Sequence, residues 1–267
     1  MNSGRMFIIS IVSVLFFSFG CAALSRGPDL PGINRNRSAT YRVDIVNEGH
    51  GSGVVVSNDG YIVTARHVAA AAKKDGMEIL IDEGDGRPKA YPAKVIALDP
   101  VYDIAILKID RYFSQPALLE DMASLNPGDE VYNVGYPYDF GEMVGRGCIQ
   151  KLHWSYVDED TGKLAVNDAI LVDIPDGPGT SGSGVFLKRS GRLMGIMSMA
   201  LWAGGEGQPP TITRVLVSVE HVKALLDANR VSYARAVRYP DGVDQTAAVG
   251  DPGQWSITID TATVEVR

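Results

Sequence analysis

Cysteine is nearly absent from this 267-residue chain: only Cys21 and Cys148 occur. Cys21 lies in an amino-terminal segment that reads as processed, so Cys148 is left without a partner and a disulfide framework is not expected. In the strand-like Gly147-Cys-Ile-Gln150 it reads as a small buried hydrophobe. Metal-ligand spacing is missing as well. Asp158-Glu-Asp-Thr-Gly162 lacks the ligand pattern of a calcium loop and reads as a solvated turn, so neither metal nor cofactor is expected. Basic charge is short: 25 Lys and Arg against 32 Asp and Glu leave a net charge of −7 with no basic stripe. That argues against a nucleic-acid partner. No repeat of solenoid length recurs. No apolar run is long enough to span a bilayer comfortably; Met6 to Phe19 has the length of a signal h-region instead.

What is present begins with that leader. Arg5 precedes the apolar run, and Ser18-Phe-Gly-Cys-Ala-Ala23 follows it. A small residue before Cys21 and an alanine after it resemble a bacterial lipoprotein processing site, although Ser18 stands where an aliphatic residue is usual. Two routes stay open: lipidation of Cys21, giving membrane attachment through an acyl chain, or ordinary cleavage after Ala23. Residues 1–21 are read as the signal. Residues 22–40, with Gly27, Pro28, Pro31 and Gly32, are read as a linker.

From Tyr41 onward short apolar strands alternate with turn signals, a pattern of an all-β sandwich or barrel. Two helices are predicted, Val68 to Lys74 and Ser218 to Ala228. The second carries Val219, Val222, Leu225 and Leu226 on one stripe, with Ser218 as N-cap.

Three stretches carry chemistry. In Asp173-Ile-Pro-Asp-Gly-Pro-Gly-Thr-Ser-Gly-Ser-Gly-Val185, glycines and prolines crowd around two serines. A tight turn of this kind can expose a hydroxyl and converge backbone N–H groups on one point, as a serine nucleophile with an oxyanion hole requires. By itself it reads equally as a glycine-rich hairpin turn. In Gly51-Ser-Gly-Val-Val-Val-Ser-Asn-Asp-Gly-Tyr-Ile-Val-Thr-Ala-Arg-His-Val68, a hairpin delivers His67 to a strand end. Imidazole exchanges protons near neutral pH, but a lone His at a strand end is commonly a structural hydrogen-bonder. In Leu98-Asp-Pro-Val-Tyr-Asp-Ile-Ala-Ile-Leu-Lys108, Asp103 opens an otherwise apolar strand, where a carboxylate needs a partner.

His67, Asp103 and Ser181, in that order along an all-β chain, resemble the chymotrypsin-like serine peptidases. The bacterial HtrA/Deg branch is the nearer match, through the Gly51–Val68 run, Asp103-Ile-Ala-Ile-Leu107, Gly128-Asp-Glu-Val-Tyr-Asn-Val-Gly-Tyr-Pro137 and Pro178-Gly-Thr-Ser-Gly182. The resemblance implies two six-stranded antiparallel β-barrels with a short C-terminal helix, spanning residues 41–230, and no cofactor. It implies Ser181 rather than Ser183 as nucleophile, His67 as base and Asp103 as its orienting carboxylate. It also implies an oxyanion hole from the N–H groups of Gly179 and Ser181, with Ser198 supporting Asp103. The position at the base of the specificity pocket falls on Pro175, which predicts an apolar floor. Asp176, Met199 and Ala200 are the other pocket candidates, and Asp173 and Asp176 lie near enough to complicate that expectation.

The implied function is an exported serine endopeptidase acting on polypeptides in the cell envelope. A catalytically silent trypsin-fold scaffold or binding lipoprotein is the alternative. No peptide-binding PDZ domain is expected after the helix. The tail, 231–267, holds a hairpin pattern around Thr261-Ala262. Trp202–Pro210 reads as a loop bordering the cleft, and no partner is evident for His50, His153 or His221.

Overall fold

The computed structural model describes residues 30–71, 76–81, 88–157, 164–203, 211–238 and 244–248. A helix, α1 (Ile33–Ala39), leads into the first sheet. Its strands are β1 (Thr40–Ile45), β2 (Gly49–Val55), β3 (Tyr61–Thr64), β4 (Met77–Ile81), β5 (Lys89–Pro92), β6 (Lys94–Leu98) and β7 (Ala105–Lys108). They pair in the order β5-β4-β1-β2-β3-β7-β6, each neighbouring pair antiparallel. A short helix, α2 (Arg66–Ala71), follows β3.

The second lobe is a closed barrel of β8 (Glu130–Gly135), β9 (Met143–Val157), β10 (Leu164–Val172), β11 (Gly184–Leu187), β12 (Leu193–Ala203) and β13 (Thr211–Ser218). Helix α3 (Val219–Ala228) closes it, and a hairpin of β14 (Ala234–Arg238) and β15 (Asp244–Ala248) follows. The architecture is the all-β, two-lobed one expected, with its C-terminal helix in place; of the two six-stranded barrels expected, the second is a closed six-stranded barrel and the first is a seven-stranded half-barrel sheet.

Apolar side chains explain why these segments become strands. Ile62, Val63, Ile106 and Leu107 of the first sheet are buried in one cluster with Tyr132, Phe186 and Ile196 of the barrel and Val222 and Leu226 of α3. The barrel has its own interior of Val131, Ile149, Ile170, Val185, Met197 and Leu216. The first core thus runs across the junction of the two lobes. Burial of this extent is the main driving force, at roughly 25 cal/mol per Å² of apolar surface.

Several local expectations change. Residues 33–39, read as part of a linker, are helical, because Asn36 is fully buried and its Nδ2 donates to the Tyr132 hydroxyl (2.7 Å) and the Gly191 carbonyl (2.8 Å). Those partners are far away in sequence, so composition hides them. Ser218 sits at the N-cap of α3, but its hydroxyl makes no capping bond. The stripe of Val219, Val222, Leu225 and Leu226 is buried as expected. Strands β5 and most of β9 lack an apolar pattern because their side chains are largely exposed; ladder pairing holds them. Trp202 and Ala203 belong to β12, not to a loop. The hairpin pattern around Thr261-Ala262, the Asp158–Gly162 turn and Cys21 lie outside the described residues.

Candidate active site

His67 is carried in the first turn of α2, directly after β3. Asp103 stands just before β7, the strand paired with β3. The turn ahead of it is held by Asp99, whose Oδ1 accepts the N–H groups of Val101 and Tyr102, each at 2.7 Å. Asp103 then grips the histidine twice: Oδ1 accepts the His67 backbone N–H (2.9 Å) and Oδ2 faces Nδ1 at 2.8 Å. A carboxylate can only accept, so Nδ1 carries a proton and Nε2 of the neutral ring is left as the basic nitrogen. Ser198 Oγ, buried on β12, donates to the same Oδ2 at 2.6 Å.

This arrangement sets the charges. The Asp103 hydrogen bond holds the His67 pKa above the usual imidazole value, against burial that works the other way. Burial alone would raise Asp103, but the hydrogen bonds from His67 and Ser198 and the imidazole charge bring it below the usual carboxylate value. The carboxylate therefore stays ionised behind the ring.

The segment from Ile174 to Gly182 is a series of tight turns. Thr180 N–H donates to Gly177 O (3.1 Å) and Ser183 N–H to Thr180 O (2.8 Å). Gly179 and Gly182 have φ of +100° and +86°, which favours glycine. The segment is stitched to both lobes. Ser52 N–H donates to Ser181 O, and Gly182 N–H donates to Met197 O, next to Ser198, both at 2.8 Å. A Cβ on Gly51 would lie 2.7 Å from Val68 Cγ2 and 2.9 Å from Ser181 O. One on Gly182 would lie 2.2 Å from Thr64 Oγ1, on the strand that leads into His67. The backbones that carry His67, Ser181 and Ser198 thus meet at the lobe junction. Ser181 is half-buried, whereas Ser183 is fully buried.

Two residues shape this loop: Ser52, named from the sequence only as part of the Gly51–Val68 pattern, and Tyr138, which sequence reasoning missed. Tyr138 N–H donates to Pro178 O at 2.6 Å, and Ser52 Oγ donates to Gly179 O at 2.8 Å. In a trans peptide C=O and N–H point in opposite directions, so the first bond turns the Gly179 N–H away from Tyr138. Among the described residues the N–H groups of Gly179 and Ser181 meet no protein acceptor. No local signal marks Ser52 or Tyr138 for this task, since both act across lobes or loops.

The pocket candidates separate. Pro175 and Asp176 line a cavity of about 400 Å³ with Asn133, Tyr138, Phe140 and Met143. Met199 and Ala200 are exposed on β12 and do not line that cavity. Asp176 is not a free carboxylate: Arg214 Nε lies 2.5 Å from its Oδ1, both side chains being 11% exposed, and Thr180 Oγ1 donates to its Oδ2. Burial raises the Asp176 pKa, and the Arg214 charge opposes that rise. Asp173 is engaged too, accepting the Cys148 backbone N–H and its thiol.

The histidines that had no evident partner have one. His50 Nε2 is 2.9 Å from Tyr136 O, His153 Nδ1 is 2.7 Å from Asp168, and His221 stacks on Tyr102 at 3.6 Å between ring centres. Among the described residues no cluster of His, Cys, Asp and Glu fits a metal ion.

The two-lobed sheet architecture, with a hydrogen-bonded His and Asp and a serine turn at the lobe junction, defines the class of trypsin-fold proteins. Residues 51–196 match the trypsin-like peptidase domain, and the chain belongs to that family. It is 28% identical over 207 residues to a probable periplasmic serine endoprotease, DegP-like, of Pseudomonas putida; the match covers 76% of this chain and 38% of that protein. It is 28% identical over 166 residues to the serine endoprotease DegS of Escherichia coli K12, covering 60% of this chain and 42% of that one. A serine endoprotease structure from Yersinia pestis shares the fold, with a TM-score of 0.58 at 21% identity, over 74% of this chain and 65% of that one. The chain therefore aligns with less than half the length of these curated relatives of the HtrA type.

Proposed function

We propose that this chain is a serine endopeptidase that cleaves polypeptides through an acyl-enzyme. The observation that carries the reading is the Ser198–Asp103–His67 chain of hydrogen bonds, together with a half-buried serine on a loop at the lobe junction where, among the described residues, the Gly179 and Ser181 amides meet no protein acceptor. Ser181 Oγ bonds to the scissile carbonyl carbon and passes its proton to His67 Nε2. The tetrahedral oxyanion is met by the N–H groups of Gly179 and Ser181. His67 returns the proton to the leaving nitrogen as the C–N bond breaks. Water, deprotonated by His67, then attacks the acyl carbon and frees Ser181. Complete burial of Ser183 supports Ser181 as nucleophile.

Specificity follows from pairing. Asp176, the one carboxylate among the residues lining the Pro175 cavity, is paired with Arg214, so that lining offers no unpaired carboxylate to a basic side chain. Small or medium apolar side chains are therefore favoured over Lys or Arg. The leader Met6–Phe19 and the similarity to a probable periplasmic serine endoprotease support export to the cell envelope. Mass spectrometry of the mature amino terminus separates an acylated Cys21 from plain cleavage.

The test is labelling with a fluorophosphonate, together with profiling on a peptide library. The mature protein labels, and Ser181→Ala abolishes it. No labelling of correctly folded protein favours a silent scaffold, and dominant cleavage after Lys or Arg overturns the specificity reading.

A further inference from the structure

The strand β2 sends two side chains from one face toward the glycine of the candidate oxyanion hole. Residues two apart on a strand share a face, which puts His50 beside Ser52. Both hold the backbone of Tyr136. Ser52 Oγ accepts the Tyr136 N–H at 3.0 Å, and His50 Nε2 lies 2.9 Å from the Tyr136 carbonyl. A carbonyl only accepts, so Nε2 carries the proton in that bond.

Gly179 sits between these groups. Its carbonyl takes the Ser52 hydroxyl. A Cβ built on it would be 2.4 Å from Tyr136 O, 2.5 Å from His50 Nε2 and 3.1 Å from His50 Cδ2. The imidazole and the carbonyl it holds thus form the wall against the Gly179 α-carbon. With that wall present, the peptide on either side of Gly179 has little room to rotate, and its N–H keeps one direction.

We propose that His50 is a positioning residue for the oxyanion hole: its Nε2–H fixes the Tyr136 carbonyl, and the two together keep the Gly179 N–H aimed at the reacting carbonyl. The inference rests on the peptidase reading above. What His50 supplies is an N–H donor at the right reach and a filled volume. Gln carries an N–H donor at similar reach; Asn is a shorter donor; Leu fills the space without donating.

The test compares wild type with His50→Gln, His50→Asn, His50→Leu and Ser181→Ala in fluorophosphonate labelling rate, in kcat and KM on a peptide substrate, and in Tm. Oxyanion contacts act on the transition state, so kcat should fall while KM holds. His50→Leu and His50→Asn should lose about 10- to 100-fold in kcat, less than the roughly 10²–10³ of deleting an oxyanion donor outright, with KM within about threefold. His50→Gln should recover most of the rate. Equal kcat in wild type and His50→Leu overturns the inference. So does a loss in all three variants that tracks their Tm with no rescue by Gln. If wild type does not label, or Ser181→Ala labels as wild type does, the peptidase reading itself fails.

Discussion

Replacing Gly179 with alanine separates an oxyanion role from a merely structural one. The glycine has φ +100°, and the added Cβ would be 2.4 Å from Tyr136 O and 2.5 Å from His50 Nε2. The carbonyl cannot yield easily, since His50 holds its oxygen and Ser52 holds the same residue's N–H. The loop must move instead. A residue forced into such backbone geometry costs on the order of 1–3 kcal/mol. At about 2–4 °C per kcal/mol for a domain of this size, Tm should fall by roughly 2–12 °C. Moving the Gly179 N–H removes one donor to the oxyanion, which costs about 2.7–4 kcal/mol, or about 10²–10³ in kcat. KM should change little, because that contact forms in the transition state. Steady-state kinetics on a peptide substrate, with Tm by calorimetry, reads both numbers at 25 °C, where the variant remains folded. A variant with lowered Tm and kcat within about threefold of wild type would refute the oxyanion assignment and leave Gly179 as a packing glycine.

Other outcomes follow from the charges. Because the His67 pKa is raised by Asp103, the acid limb of kcat/KM should lie above the usual imidazole value of about 6.5, and Asp103→Asn should cost about 10⁴ in kcat through the wrong tautomer. A pH–rate profile of both proteins checks this; an acid limb below the usual value speaks against the pairing. For stability the raised His67 contributes below its unfolded pKa and loses that contribution as pH rises through its folded one. The depressed Asp103 contributes above its unfolded pKa and loses it as pH falls through its folded one. The pair therefore stabilises most between the two unfolded values, which denaturant titrations across pH can follow. Asp176→Asn leaves the Arg214 guanidinium nearly buried and unpaired, so chemical denaturation should show a loss of about 3–5 kcal/mol. A change under 1 kcal/mol would mean that solvent reaches Arg214 freely.

Much of the site was legible in the chain itself. Glycine and proline density around Ser181, a histidine at the end of a hairpin strand and a carboxylate at the mouth of an apolar one are local facts, and they survive unchanged into three dimensions. The apolar strands were legible for the same reason, since burial selects Val, Ile and Leu. Strand β5 and most of β9 were not, because exposed side chains leave ladder pairing as their main support; only Gly147–Gln150 of β9 reads as strand from the sequence.

The sequence alone determined which residue types could do the chemistry and the order in which they occur. Only the tertiary structure decided which carboxylates are free: Asp103 faces an imidazole, while Asp176 is spent on Arg214. It alone decided that Ser183 is buried, that Tyr138 and Ser52 bond the loop around Gly179, and that His50 bonds the Tyr136 carbonyl nearby. The physical reason is reach. Hydrogen bonds and ion pairs act over about 3 Å, and the partners here come from segments far apart in the chain, some of them from different lobes, so no stretch of chain contains both halves of the interaction.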